Sequence, residues 1–234
     1  MPNAEPSRRI IPHLYDAARR GHYWWRDYVY AVQRQLRSPL ERRVPARFTT
    51  GDRAPVVLLA GVIEPWTMLL PVAEALHKAG HPVHVIPELA LNIGSVPEAA
   101  AIVRRVIAER GLTKVILVAH SKGGLIGKLL LVDDDEGRID RLIAIATPFH
   151  GSKLARLVPW KIIRALRPDE PTIMELKATS GVNARITSIY PGFDPHVPES
   201  SHLEGATNVE VAAMGHFRIL RDPDVLAAVV AAAG

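Results

Sequence analysis

From residue 55 onward, short aliphatic runs alternate with helical segments, and that alternation fixes the class of fold. "PVVLLAG" (55–61), "PVHVIPE" (82–88), "KVILVAH" (114–120), "RLIAIATP" (141–148), "ARITSIY" (184–190) and "NVEVAAM" (208–214) each read as a strand. Several are near-continuous hydrophobic runs, as expected of strands covered on both faces. Between and after them, 66–80, 95–111, 122–132 and 222–233 read as helices, while 153–180 is irregular to helical. Ser95 is placed to cap the second helix, with Pro97 in its first turn and Gly111 just past its end. The pattern predicts an α/β fold with a mostly parallel central sheet of about six strands and helices on both faces. Right-handed crossovers then bring the strand C-termini to one edge, where the chemistry of open α/β sheets collects.

The first 54 residues read differently. Segments 7–20 and 22–37 are expected to be two helices, the first capped by Ser7 with Ile11, Leu14, Ala17 and Ala18 on one face. In the second, Trp25, Tyr28, Val29, Val32 and Leu36 recur at helical spacing, and Pro39 and Pro45 then introduce a linker over 38–54. Residues 1–50 hold ten Arg and four acids; the remainder holds 19 Lys and Arg against 20 acids, so the basic charge belongs to this extension. The expected organisation is a helical basic and aromatic extension with its linker over 1–54 and one α/β domain over 55–234. "HYWWRDYVY" has two readings: a helix packing its aromatic face on the domain, or a membrane-surface helix, giving peripheral membrane contact through 22–37. Nucleic acid is not an expected partner, because the main domain is nearly neutral and carries no such motif.

No apolar run approaches the ~20 residues of a membrane-spanning helix. The N-terminus lacks the apolar stretch of a signal peptide, so a cytoplasmic location is expected. The absence of cysteine excludes disulfides, thiolate nucleophiles and Cys-ligated zinc. No metal-ligand spacing and no phosphate-binding glycine loop is visible, and no cofactor is expected.

The chemistry concentrates in "VILVAHSKGG" (115–124), where an aliphatic strand delivers a serine into a turn of small residues before a helix. A serine nucleophile needs an exposed oxygen, a sharp turn and close approach of helix to strand. Ala119 and Gly123 leave room for that turn, which makes Ser121 the candidate nucleophile. The competing reading is a strand–helix turn with an incidental serine. The Lys122 N–H, at the helix N-terminus, is a candidate oxyanion donor. The base is expected after the last strand, where His216 follows Gly215; His196 and His202 are the next candidates. His120 should point away from its neighbour Ser121. The acid is expected in a loop between 121 and 216, and Asp194 fits, ahead of Glu199 and Glu204. The strand before it is expected to end at Tyr190. "DDDE" (133–136) reads as a solvated turn. A second oxyanion donor is expected from the loop after the first strand, at the Val62 N–H.

These segments together resemble the α/β-hydrolases, in particular the small bacterial triacylglycerol lipases and esterases with an Ala-x-Ser-x-Gly elbow. "PVVLLAGV" is similar to their first strand and oxyanion loop, "VAHSKGG" to their elbow, "ITSIYPGFDPHVP" to their acid loop and "MGHFRIL" to their Gly-His segment. "TPFHGS" (147–152) resembles the turn after the strand that follows the elbow. The resemblance covers about residues 55–220 and implies an α/β-hydrolase fold and ester hydrolysis through a Ser121–His216–Asp194 triad. Ala60-Gly61 departs from the His-Gly that usually opens the first loop, which leaves the substrate open. Thioesterase, amidase, acyltransferase or lipid deacylase chemistry on the same triad are alternatives, as is a catalytically idle binding module. A small-molecule or lipid ester is the expected substrate. Trp66, Met68 and Leu69 either line its pocket or form the core face of their helix. Residues 153–180, with Leu154, Leu157, Val158, Trp160, Ile162 and Ile163, form either a core helix or an apolar wall over Ser121, with Trp160 then a lining residue.

Overall fold

The computed structural model describes residues 10–38 and 45–234, with side chains from residue 21 onward. Ser7, residues 39–44 and the side chains of Ile11, Leu14, Ala17 and Ala18 lie outside the described residues. Six strands form one sheet: β1 Val56–Leu59, β2 Val83–Val85, β3 Val115–His120, β4 Ile139–Ile145, β5 Ile186–Phe193 and β6 Thr207–Met214. Every pairing is parallel, in the order β2-β1-β3-β4-β5-β6. The helices are α1 Ile10–Arg37, α2 Leu70–Lys78, α3 Val96–Glu109, α4 Lys122–Val132, α5 Lys161–Arg164, α6 Pro171–Ala178 and α7 Pro223–Ala233.

The alternation of side chains along each strand divides the core in two. Val57, Leu59, Leu117, Ala119 and Ala144 face α3 and α4 on one side. Val56, Leu58, Ile116, Val118, Ile143 and Ile145 face α2 and α7 on the other, with Tyr30 and Ala31 of α1 in the same cluster. All six residues of β3 are buried, which is why this stretch reads as a continuous apolar run. Full burial of each aliphatic side chain contributes roughly 2 kcal/mol, so neither face of β3 tolerates a polar residue cheaply. Ser95 caps α3 in a capping box with Glu98.

This order places a topological switch between β1 and β3. The two strands are neighbours, yet α2, after β1, lies on one face and α4, after β3, on the other. The diverging connections open a crevice at their C-terminal ends.

Three expectations about elements change. The predicted helices 7–20 and 22–37 form one helix through Gly21, because a single interior glycine costs only about 1 kcal/mol. The predicted helix 66–80 begins as a 3-10 turn, Trp66–Leu69, and becomes α-helical only from Leu70. Strand β5 runs beyond Tyr190 through Pro191 to Phe193. Pairing with β4 ends at Ile189, so the proline lies where only β6 remains beside it, and the register shifts there.

The packed face of α1 is Asp27, Tyr30 and Ala31, all buried. Tyr28 stacks against His196 and Phe217. Trp24, Trp25, Val32 and Leu36 are exposed, so most of the stripe that hydrophobic spacing picks out faces outward. No described helix is long and apolar enough to cross a membrane.

Candidate active site

Between β3 and α4, Ser121 stands alone at φ 52°, ψ −122°. Positive φ is a strained conformation for serine, costing on the order of 1–3 kcal/mol. The surroundings enforce it. A Cβ on Gly123 would strike the Leu59 carbonyl, and one on Gly124 would strike the Thr147 side chain. The helix therefore lies against the strand so closely that only glycine fits. Ile63, Ala90, Asn92 and Ala146 also have positive φ, in the connections after β1, β2 and β4. Backbone strain of this kind is common at functional sites, and these five residues follow strand C-termini, whereas Lys114, also at positive φ, precedes β3 at the opposite edge.

His216 follows β6 at the same edge. Its Nδ1 lies 2.7 Å from Asp194 Oδ2. Asp194 Oδ1 accepts the amides of His196 at 2.7 Å and Val197 at 3.0 Å. The His216 amide donates to Asp27 Oδ2 at 2.8 Å, and its carbonyl lies 2.9 Å from His120 Nε2. Three of the four polar groups of His216 are thus engaged. Among the described residues, neither His216 Nε2 nor the Ser121 hydroxyl has a hydrogen-bond partner, and no bond joins the two.

The electrostatics set the pair apart from its neighbours. Burial pushes the Asp194 carboxyl up, but the His216 charge, its hydrogen bond and the His196 amide outweigh this and hold it below its ordinary value. Burial pushes His216 down, but the charge and hydrogen bond of Asp194, reinforced by Glu64 and Asp27, bring it above the ordinary histidine value. Burial, then the His216 charge, pushes His196 down to about 3, so this ring is neutral at any working pH. Its centroid lies 4.9 Å from that of His216, where it serves as a wall. His202 is exposed, Glu204 is exposed, and Glu199 bonds the Lys153 amide.

His120 does turn away from Ser121. Its Nδ1 faces both oxygens of Glu64, at 3.0 and 2.8 Å, and its Nε2 faces the His216 carbonyl. A carbonyl only accepts, so Nε2 carries a proton. Glu64 also accepts the Gly61 amide at 2.9 Å. Glu64, His120 and His216 bring one atom each within 4.8 Å of one another. The contacts of Glu64 and His120 within this group define a hydrogen-bonded chain linking the loop after β1 to the loop after β6.

The Lys122 side chain has a structural partner set. Its Nζ donates to Asn92 O at 2.8 Å, to Asn92 Oδ1 at 3.3 Å and to Gly94 O. Asn92 Nδ2 in turn donates to Ala60 O at 2.7 Å. The amides of Val62 and Lys122 have no protein acceptor among the described residues. Lys122 therefore offers one free amide itself and, through Asn92, fixes the loop that offers the other.

No family model matches the chain, and no curated protein matches it. Solved structures do. A lipase of Bacillus licheniformis superposes with TM-score 0.59 at 19% identity, over 76% of this chain and 92% of that one. Lipase B of Aspergillus fumigatus gives TM-score 0.60 at 20% identity, over 80% of this chain and 54% of that one. An extracellular α/β-hydrolase of a Paenibacillus species gives 0.56 at 17%, over 77% and 99%. The chain has the α/β-hydrolase fold. In this α/β-hydrolase fold the Ser121 turn, the His216 loop and the loop after β1 meet at the switch point between β1 and β3.

Met68 and Leu69 are buried among core residues and Trp66 stands edge-on to Phe48, as the core-face reading of this segment has it. Trp160 is 64% exposed, just before α5. Within 153–180, Ala155, Leu166, Ile173 and Leu176 are core, whereas Leu154 and Leu157 are exposed. The segment is thus divided between core and surface and is not one core helix. Asp27, Glu64 and Asn92 went unread. Only Asp27 carried a signal: it is one of two acids in an arginine- and tryptophan-rich helix.

Proposed function

We propose that the chain is a serine hydrolase that cleaves carboxylic esters through an acyl-enzyme. The observation that carries this reading is the buried Asp194–His216 pair at 2.7 Å, whose free Nε2 lies at the same sheet edge as the serine elbow. Ser121 Oγ attacks the carbonyl carbon while His216 Nε2 takes its proton. The proton passes to the leaving alcohol as the C–O bond breaks. Water, deprotonated by His216, then attacks the acyl carbon, and Ser121 regains its proton as the acid departs. Asp194 fixes the tautomer of His216 and stabilises the imidazolium. The amides of Val62 and Lys122 hold the oxyanion, each worth roughly 3 kcal/mol of barrier. The missing Ser121–His216 bond closes when substrate orders the site, as such bonds tighten on binding.

A groove of about 700 Å³ lies between the loop after β2 and residues 161–171. Its lining includes the apolar Ile93 and Ile162, the cations Lys161, Arg164 and Arg167, and the acids Glu98, Asp169 and Glu170. Its wall is tied to the Ser121 turn through the buried Lys122, whose Nζ bonds the lining residue Gly94. That mixture suits an ester with an apolar part and a polar part. The same triad serves thioesters, amides and acyl transfer, which a leaving-group series separates.

Ser121→Ala should abolish both p-nitrophenyl ester turnover and labelling by a fluorophosphonate probe. Labelling that persists on that variant, or a folded wild type that never labels, rejects the assignment.

A further inference from the structure

We propose that Asp27, on the N-terminal helix α1, is a positioning residue for His216 that holds the histidine loop in register from the far end of the chain. The inference rests on the reading of His216 as the base.

Asp27 is fully buried, and among the described residues it forms no ion pair with a cationic side chain. A buried carboxylate without compensation is costly. Its compensation is the backbone of one loop: Oδ2 accepts the His216 amide at 2.8 Å, and Oδ1 accepts Phe217 at 2.9 Å and Arg218 at 2.8 Å. Three consecutive amides converge on one carboxylate, an arrangement that fixes a loop more firmly than packing alone. The residue before them is Gly215 at φ +105°, where a Cβ would stand 2.7 Å from Asp27 Oδ1. The loop therefore bends around the carboxylate, and the carboxylate fills the space a side chain would take.

The same helix reaches the opposite wall of the crevice. Gln35 Nε2 donates to Ile63 O at 3.0 Å, and Arg34 donates to Thr67 O. Helix α1 thus holds backbone from both the histidine loop and the oxyanion loop.

Asp27 acts on His216 by charge as well as by position. The groups facing the imidazole are Asp194, Glu64, Asp27, His120 and His196. Asp27 is one of three carboxylates that favour its protonated form. That form develops in the transition state, so a fixed negative charge here favours catalysis.

The test is Asp27→Asn in the full chain. An amide keeps the size but loses the charge and one acceptor oxygen. We expect kcat on a p-nitrophenyl ester to fall about 100-fold, the scale of a misplaced catalytic group, with KM little changed. The acid limb of kcat/KM should move to lower pH, because removing the negative charge makes imidazolium less favourable. By NMR, the His216 titration should move the same way, and the amides of residues 216–218 should exchange faster. The NMR readouts need no turnover, so an inactive wild type would overturn the hydrolase reading while they still report whether Asp27 positions His216 and its loop. A folded variant whose pH profile and His216 titration superimpose on those of the wild type would overturn the proposal. Should Asp27→Asn not fold, the wild type decides. Its 216–218 amides must be protected to the level of global unfolding, and ordinary loop exchange there would also overturn the proposal.

Discussion

At the scale of residues, the site joins strain to bonding. Ser121 keeps its positive φ because Gly123 and Gly124 let α4 lie against Leu59 and Thr147. Asp194 is the simplest residue to test. Asp194→Asn keeps an acceptor for the His196 and Val197 amides but offers His216 Nδ1 an N–H in place of an oxygen. The imidazole must then present the wrong tautomer, and kcat should fall about 10⁴-fold, with a melting temperature near that of the wild type. Lys122 yields a second test. Its three N–H donors match three oxygens, those of Asn92 O, Asn92 Oδ1 and Gly94 O. Burial pushes the ammonium down to about 8. Above that pH the neutral amine has one donor fewer, and the tether from the Ser121 turn through Asn92 to the loop after β1 weakens. We expect kcat to decline above about pH 8. Lys122→Met should lower kcat at every pH, by less than the ~10²–10³ of deleting an oxyanion donor, and should lack that alkaline limb. An alkaline limb of the same midpoint in Lys122→Met would assign it to another group.

At the scale of elements, the strands were legible because parallel strands buried on both faces leave continuous aliphatic runs. Helix α1 was legible as helical, though as two segments, but not in orientation. Hydrophobic spacing chose Trp25, Val32 and Leu36, which are exposed, whereas the docked face is built around Asp27. A buried carboxylate satisfied by backbone amides leaves no trace in an apolar pattern, since its partners are positions and not residue types. The orientation predicts unequal costs of substitution. Tyr30 is buried, and among the described residues its hydroxyl has no hydrogen-bond partner. Tyr30→Phe should therefore be neutral or stabilising, and Tyr30→Ala should cost about 3–5 kcal/mol. Leu36→Ser, on the exposed face, should stay within about 0.5 kcal/mol. Urea denaturation of the three variants measures all of this. Equal losses for Tyr30→Ala and Leu36→Ser would mean that the helix is docked on another face.

At the scale of the whole molecule, the α/β class followed from the sequence, and so did the chain order Ser121, Asp194, His216. Strand order did not, because nothing in a strand's own composition says which neighbour it pairs with. It is the order β2-β1-β3 that sends α2 and α4 to opposite faces and opens the crevice. The roles of Glu64 and Asn92 depend on that crevice, since each bridges loops that only the sheet brings together. Asp27 and the His216 amide are 189 positions apart. Asp27 precedes its three amide partners by most of the described chain, so those contacts wait for the loop after β6, although α1 also meets Ile63 and Thr67. Closing so long a span is entropically expensive and comes late in folding. During refolding from urea, far-UV circular dichroism should therefore recover before fluorophosphonate labelling does. Helix and sheet would form first, and competence would wait for the first helix to find the last loop. Synchronous recovery of the two signals would show that α1 docks early. A variant truncated before residue 216 would therefore lack both the imidazole and the amides that seat Asp27.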